Sequence, residues 1–91
     1  MTDFGVDIGG GPTLESLRDL WTAAKGTHGS IFDGLRPVIS IRDGKMGTAE
    51  LRLVVGPLSN AAAAATICAS LAANGWTCRP AVFDGQRLAL R

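Results

Sequence analysis

Several patterns that mark common functions are missing from this sequence. It has no tyrosine, a single histidine (His28), no CxxC pair and no run of 18 apolar residues. A histidine-based catalytic centre, a cysteine metal site and a transmembrane segment are therefore not expected. Nine basic and eight acidic residues nearly balance, so the basic excess of a nucleic-acid-binding domain is absent. No charged start followed by an apolar run marks a signal peptide.

A glycine-rich stretch, VDIGGGPTLESL at residues 6–17, resembles a phosphate-binding loop at first sight. The Gly-Lys-Ser/Thr of a P-loop does not follow it, and Leu14 stands where a dinucleotide fingerprint needs its third glycine. We interpret residues 9–12 as a structural turn that leads from a strand into a helix.

Alternating apolar residues predict four strands, at 4–8, 38–42, 50–55 and 77–83, with a short fifth run at 86–90. The dipeptide Asp43-Gly44 predicts a hairpin between the second and third strands. Gly56-Pro57 is predicted to end the third strand.

Capping signals place two helices between these strands. Thr13 caps the first helix, which Gly26 and Gly29 are expected to break, and residues 30–37 predict a short turn or helical stub. Ser59 or Asn60 caps a second, alanine-rich helix that Gly75 stops.

The two halves of the chain repeat this pattern. Gly9 and Gly56 correspond at an offset of 47 residues, each between an apolar strand and a capped helix. The order predicts a single α+β domain over 1–91, a ferredoxin-like βαββαβ sandwich. It has a four-stranded antiparallel sheet, two helices on one face and room for a short extra C-terminal strand.

Each strand then has one face toward the helices and one away from them. The residues expected to meet the helices are Val6, Ile8, Ile39, Ile41, Leu51, Leu53, Val55 and Val82. The residues expected on the open face are Asp7, Ser40, Arg42, Glu50, Arg52, Thr77, Arg79 and Phe83. Trp21 is expected in the core, Trp76 as a hydrophobic latch at the end of the second helix, and His28 in a loop.

The two cysteines, Cys68 and Cys78, are both predicted to face inward. They form either a disulfide outside the cytoplasm or two buried thiols inside it.

Three stretches together resemble a known family. They are Phe-x-Val-x-Ile-Gly at 4–9, LRLVVGPLS at 51–59 and ANGWTCR at 73–79, and they resemble the SPOR (sporulation-related repeat) domain. The resemblance implies a non-catalytic module, without a cofactor, that binds peptide-stripped peptidoglycan where the wall divides. It also implies a periplasmic domain cut from a longer protein anchored in the inner membrane, with Cys68 and Cys78 joined in a disulfide.

The family's ligand site lies on the open sheet face. The resemblance places Arg52 where the family often has an arginine, Asp7 where it usually has glutamine, and Glu50 where some members have an aromatic residue. The remaining candidates for glycan binding are Ser40, Arg42 and Arg79. The alternative is that Asp7 pairs with Arg52 and that Arg42 and Arg79 are simply solvated.

The rival hypothesis is a regulatory or docking domain of the same fold that has lost glycan binding and contacts other proteins, such as cell-division proteins. Phe83 is expected to pack at the sheet edge rather than form a sugar platform. The chain is expected to be a monomer that contacts neither nucleic acid nor the membrane.

Overall fold

Two helices pack on one face of a five-stranded antiparallel sheet, in a computed structural model that describes residues 2–89. In chain order the elements are β1 (Phe4–Gly11), α1 (Leu14–His28), β2 (Arg36–Asp43), β3 (Ala49–Leu58), α2 (Ala61–Ala73), β4 (Arg79–Val82) and β5 (Gln86–Arg87). The strands lie in the order β4-β1-β3-β2-β5. The α+β class and the extra strand are confirmed, and a four-stranded sandwich is only roughly compatible with this sheet. The fifth run was predicted to reach Leu90, which lies outside the described residues.

Both helices begin at the predicted caps. The Thr13 hydroxyl accepts from the N–H of Ser16 at 3.1 Å, and the Ser16 hydroxyl accepts from the N–H of Thr13 at 3.1 Å. The amide oxygen of Asn60 accepts from the N–H of Ala63 at 2.8 Å. Each cap satisfies a donor that the first helical turn leaves unpaired, which typically stabilises a helix by about 1 kcal/mol.

The prediction that α1 breaks at Gly26 is wrong, because the helix continues through Gly26 to His28. A glycine inside a helix costs only about 1 kcal/mol relative to alanine. The burial of Trp21 and Ala24 on the same helix outweighs that cost. His28 is consequently the last helical residue rather than a loop residue, and the expected stub is a 3₁₀ turn at Gly29–Phe32.

Two predicted turns are parts of strands instead. β1 runs on to Gly11, because Gly10 and Gly11 pair with Arg52 and Leu51 of β3. β3 likewise passes through Gly56-Pro57 to Leu58. Pairing with neighbouring strands thus overrides the local preference of glycine and proline for turns.

The core lies between the helices and the sheet. Its fully buried members from the strands and helices are Val6, Ile8, Leu17, Trp21, Ala24, Leu53, Val55, Ala64, Cys68 and Leu71. Ile39 and Leu51 pack against it less completely. The predictions for Ile41 and Val82 are wrong, since these side chains are 67% and 54% exposed. Ile41 lies toward the hairpin end of β2 and Val82 ends an edge strand, where the helices no longer cover the sheet.

The sheet bends over its face away from the helices. Only four residue steps separate Val82 of β4 from Gln86 of β5, a reach of at most ~14 Å. In the order β4-β1-β3-β2-β5, four inter-strand spacings separate β4 from β5, and in a flat sheet they would add up to ~19 Å. The two edge strands must therefore approach each other. The side chain of Phe83, just after β4, lies against Gly5 and Gly56 on that face, so the approach is over that side.

Candidate functional site

The six predicted glycan-binding residues all lie on the sheet face away from the helices. Strand register places Asp7 opposite Arg79, Ser40 opposite Arg52, and Arg42 opposite Glu50. Opposite residues in an antiparallel pair share a face. The prediction that the fourth strand begins at Thr77 is wrong, because β4 begins at Arg79 and Thr77 belongs to no strand.

Asp7 and Arg52 form a bidentate ion pair at the centre of this face. Arg52 Nη2 donates to Asp7 Oδ1 at 2.8 Å, and Arg52 Nε donates to Asp7 Oδ2 at 3.1 Å. The side chains are 2% and 12% exposed, respectively. The alternative in which these two residues pair is therefore confirmed. The pair is also far less exposed than a surface pair, because neighbouring side chains cover the carboxylate.

Two glycines of β1, Gly9 and Gly10, lie against the Asp7–Arg52 ion pair. Gly9 has a φ of +140° at an irregularity in the strand, and its N–H donates to Asp7 Oδ1 at 3.0 Å. A Cβ on Gly10 would lie 2.5 Å from the backbone oxygen of Leu51, 2.9 Å from Arg52 Nη1 and 3.0 Å from Arg52 Cδ. Since real Cβ atoms rarely come so close to another atom, glycine at position 10 lets the Arg52 side chain lie flat across β1 and reach Asp7.

The ion pair also affects the titration of Arg52. Its hydrogen bond to Asp7 is the main cause that raises the pKa of the guanidinium above the ordinary value, against an opposing effect of burial. The charges of Asp7 and Glu50 raise the pKa further. Arg52 is therefore a permanent cation at any physiological pH.

Other charges surround the pair at longer distances. Arg42 Nη2 lies 4.0 Å from Asp7 Oδ2, and Glu50 Oε1 lies 3.6 Å from Arg52 Nη1. The side chains of Arg42 and Glu50 are both about half exposed. These contacts form one network in which Asp7 is the buried anion and the arginines are the outer layer.

The arginines of the chain concentrate on this face. Five of the six arginines within residues 2–89 lie there by register and contact, and we call this surface the arginine face: Arg36, Arg42, Arg52, Arg79 and Arg87. Among the strands that the structure describes, two carboxylates share it, Asp7 and Glu50.

Sequence reasoning missed two of these arginines. Arg36 lies on the same face as Val38, because the two are two residues apart in one strand. The predicted strand began at Val38 and so left Arg36 out, and a proline such as Pro37 is unusual inside a strand. Arg87 lies opposite Val38 in β5 and follows the Asp84-Gly85 turn by two residues.

One part of the arginine face is covered by Phe83. A Cβ on Gly56 would lie 2.8 Å from Phe83 Cδ1, so the ring packs directly on the backbone of the central strand rather than at the sheet edge. The guanidinium of Arg36 lies 5.1 Å from the ring centroid, a cation–π distance. Beneath this region Val38 and Val54 are buried. The ring is thus sandwiched and does not offer a free platform for a sugar.

The opposite end of the face opens into a groove. We call it the hairpin groove; its volume is about 720 Å³ and it lies between the end of β1 and the β2–β3 hairpin. Its lining comprises Gly10, Gly11, Pro12, Asp43, Gly44, Thr48, Ala49, Glu50 and Arg52. Arg52 and Glu50 therefore belong both to the arginine face and to this groove.

A disulfide and two aromatic residues fix the loop that leads into β4. Cys68 of α2 is bonded to Cys78, which confirms the predicted disulfide. The N–H of Trp76 donates to the carbonyl of Leu71 at 3.0 Å, and its ring packs against the core and edge-on to His28. The predicted role of Trp76 as a latch on the helix end is confirmed. These contacts position Arg79 at the start of β4.

Within residues 2–89, no group of histidine, cysteine or acidic side chains is arranged to hold a metal ion. In the same part of the chain, no helix is long and apolar enough to cross a membrane.

Comparisons with known proteins identify no relative. No family model, curated protein or solved structure matches the chain.

Proposed function

We propose that this chain is a non-catalytic binding module that recognises peptide-stripped peptidoglycan strands through the arginine face. The observation that carries the proposal is the concentration of five arginines against two strand carboxylates, Asp7 and Glu50, on one side of a small sheet. The resemblance to the SPOR domain and the order of the elements, compatible with a ferredoxin-like core extended by β5, support it.

The chemistry of the ligand suits such a surface. A glycan strand without peptides exposes one carboxylate on each lactyl group, and a guanidinium binds a carboxylate through two parallel hydrogen bonds. Arg42 and Arg79 are the arginines for this role, because Arg52 already uses its Nε–Nη2 edge to bind Asp7 through two hydrogen bonds. Arg52 in turn neutralises Asp7, so the buried carboxylate repels an acidic glycan much less than an unpaired one would.

The cellular setting belongs to the same proposal. Glycan strands of this kind occur in the periplasm at sites of division, where an anchored parent protein would present the domain. The disulfide between Cys68 and Cys78 is compatible with an oxidising compartment of this kind.

A docking domain for another protein is the second candidate. Ile41 and Met46 favour it, because both are large apolar side chains exposed along the β2–β3 hairpin. The engagement of Arg52 by Asp7 favours it as well, since Asp7 occupies the Nε–Nη2 edge of the guanidinium that would otherwise bind a ligand carboxylate.

Cosedimentation with purified sacculi tests the proposal. The wild-type chain should pellet more after an amidase has removed the peptides, and Arg42→Ala and Arg79→Ala should each reduce that pelleting. Arg18→Ala is the matched control, because Arg18 lies on α1 and its removal deletes the same charge from the helix side. A wild-type chain that stays in the supernatant before and after stripping refutes glycan binding and leaves the docking domain.

A further inference from the structure

β5 covers only part of the outer edge of β2. It pairs with Val38 and Ile39, and within residues 2–89 no strand pairs with that edge of β2 beyond Ile39. Gly85, which leads into β5, lies beside Ser40, because a Cβ on Gly85 would be 3.4 Å from the backbone nitrogen of Ser40. Residues 41–43 continue to the hairpin with β3 on one side only, and we call them the open edge of β2.

Two hydrogen bonds show which backbone groups the open edge presents. The N–H of Leu88 donates to the carbonyl of Pro37 at 3.3 Å, so the odd-numbered residues of β2 direct their backbone groups away from β3. The N–H of Gly44 donates to the carbonyl of Thr48, so the even-numbered residues direct theirs toward β3. Backbone groups alternate in direction along a strand. The two odd-numbered residues of the open edge therefore each offer one N–H and one carbonyl to an added strand.

The side chains of the open edge place an apolar group on one face and a cation on the other. Ile41 lies on the helix side, is 67% exposed and pairs with Leu51, which packs against the core. Arg42 lies on the arginine face and is half exposed. Among residues 2–89, the one carboxylate within 4.0 Å of its guanidinium is Asp7, which Arg52 already binds. Arg42 can therefore bind a further carboxylate.

A second copy of the chain does not fit this edge. Two open edges related by a twofold axis pair as antiparallel strands, with outward-directed residues opposite each other. A pair centred on Ile41 would place Asp43 of one copy opposite Ile39 of the other, where Gln86 already lies. A pair centred on Arg42 or on Asp43 would place two like charges directly opposite each other, which is destabilising.

We propose that the open edge binds an extended segment of a partner protein as an added antiparallel strand with an acidic residue at its centre. The acidic side chain binds Arg42, and the segment exchanges two backbone hydrogen bonds with Ile41 and two with Asp43. The residue before the acidic one lies opposite Asp43 and is basic, and the residue after it lies opposite Ile41 and is apolar. The segment ends there, because Gly85 lies beside the next position of β2. This interaction goes beyond the proposed function and does not depend on a glycan.

A pair of synthetic peptides tests the charge at the centre of the added strand. The peptide acetyl-Thr-Thr-Lys-Glu-Val-amide is titrated into the isotope-labelled chain at millimolar concentration, because three paired residues give weak binding. The control is acetyl-Thr-Thr-Lys-Lys-Val-amide. Wild type should bind the glutamate peptide about fivefold more tightly than the control, because opposite charges facing each other stabilise a strand pair and like charges destabilise it.

The variant Arg42→Gln shows whether that preference comes from the arginine. It should bind the two peptides with affinities within about twofold of each other. Equal affinities of wild type for the two peptides, or no binding of either, overturn the proposal. A preference that Arg42→Gln retains in full overturns it as well.

Amide hydrogen exchange locates the added strand. The N–H groups of Ile41 and Asp43 point away from the sheet and should exchange more slowly when the glutamate peptide is bound. The N–H of Arg42 points toward β3 and should exchange at an unchanged rate, which makes it the internal control. Protection that appears elsewhere in the chain, with none at residues 41 and 43, overturns the proposal.

Two substitutions of Ile41 separate backbone pairing from apolar contact. Ile41→Pro removes an N–H that faces away from β3, so the sheet loses no hydrogen bond of its own. Ile41→Val keeps that N–H and a branched apolar side chain, and is the matched control. We expect the proline variant to bind the glutamate peptide at least about fivefold more weakly, and the valine variant to bind within about twofold of wild type. Equal affinities of the two variants overturn the proposal, and if Ile41→Pro does not fold, the exchange measurement decides.

The peptide experiments use no sacculi, so they fail or succeed independently of the proposed function. A wild-type chain that protects residues 41 and 43 but does not pellet retains the peptide site and loses glycan binding. A wild-type chain that pellets but shows no peptide binding retains glycan binding and loses the peptide site.

Discussion

Replacing Arg52 with methionine keeps the aliphatic stem of the side chain and removes only the guanidinium. The carboxyl group of Asp7 is then left at 2% exposure without its charged partner, with the N–H of Gly9 as its one short hydrogen bond. Removing one partner of a buried ion pair typically costs 3–5 kcal/mol. Arg42 lies 4.0 Å from the carboxylate and is half exposed, so it can move closer and compensate in part. We therefore expect a loss near the lower limit, about 3 kcal/mol.

Replacing the other member of the ion pair, Asp7, should lower the free energy of unfolding by less. In Asp7→Asn the guanidinium of Arg52 retains Glu50 at 3.6 Å and borders a groove open to water. The expected loss is about 1–2 kcal/mol, the cost of weakened hydrogen bonds without a stranded charge. The double variant Asp7→Asn/Arg52→Met should be more stable than Arg52→Met alone, because the uncompensated charge is gone.

The free energy of unfolding is measured by urea unfolding at neutral pH, with the disulfide intact, for wild type, the two single variants and the double variant. For a domain of 91 residues, a loss of 3 kcal/mol corresponds to a lower Tm by roughly 12–24 °C. The raised pKa of Arg52 means that its stabilising contribution is complete below the ordinary arginine pKa and is lost only as pH rises through the higher folded value. This contribution should therefore be unchanged between about pH 7 and pH 10. Equal losses for the two single variants, or additive losses in the double variant, would refute the reasoning.

Three further substitutions test other parts of the fold. Gly10→Ala should cost about 1–3 kcal/mol in urea unfolding, since the added Cβ meets the backbone oxygen of Leu51 at 2.5 Å and then Nη1 and Cδ of Arg52 at about 3 Å. Reduction of the Cys68–Cys78 disulfide, whose cysteines are 10 residues apart, should lower the free energy of unfolding by about 2.5–3 kcal/mol in the chain-entropy picture. Phe83→Ala should cost about 3 kcal/mol or more and expose the face beneath the ring, which binding of a hydrophobic dye would report.

Each of these has a control and a contradicting result. Gly26→Ala, in a helix with nothing within 4 Å of the added Cβ, should stabilise the chain by up to about 1 kcal/mol. A Gly10→Ala chain that is also stabilised would contradict the proposed role of that glycine. A reduced chain as stable as the oxidised one, or a Phe83→Ala chain with unchanged dye binding, would contradict the other two predictions.

The sequence predicted those features that depend on local chemistry. The caps at Thr13 and Asn60 each need only one short polar side chain at a helix start. The pairing of Cys68 with Cys78 followed from a resemblance and from inward faces of two neighbouring elements, and the structure confirms it. The sharing of one face by Asp7 and Arg52 followed from the period of two along a strand.

The errors share a physical cause, which is tertiary contact overriding local preference. Local sequence predicts a turn at Gly10. In the structure, Arg52, which is 42 positions away, places its side chain where a Cβ of residue 10 would lie. Val54 and Val38 alternate with inward residues and so are expected on an open face, but both are buried, and Phe83 and Val54 both lie beside Gly5. A period of two cannot reveal how strongly a sheet bends. The hairpin groove likewise could not be predicted, because it depends on where β1 separates from β3.

The two edge strands, β4 and β5, affect whether copies of the chain can associate. A free strand edge invites pairing with another molecule, and proteins discourage this with short edges, proline and charge. Here β4 has four residues and includes Pro80, which offers no N–H, and β5 has only two. Arg79 and Arg87 add a positive charge at each margin. A second copy approaching either margin thus finds few backbone partners and a like charge, which protects the chain from growing into fibrils by strand addition.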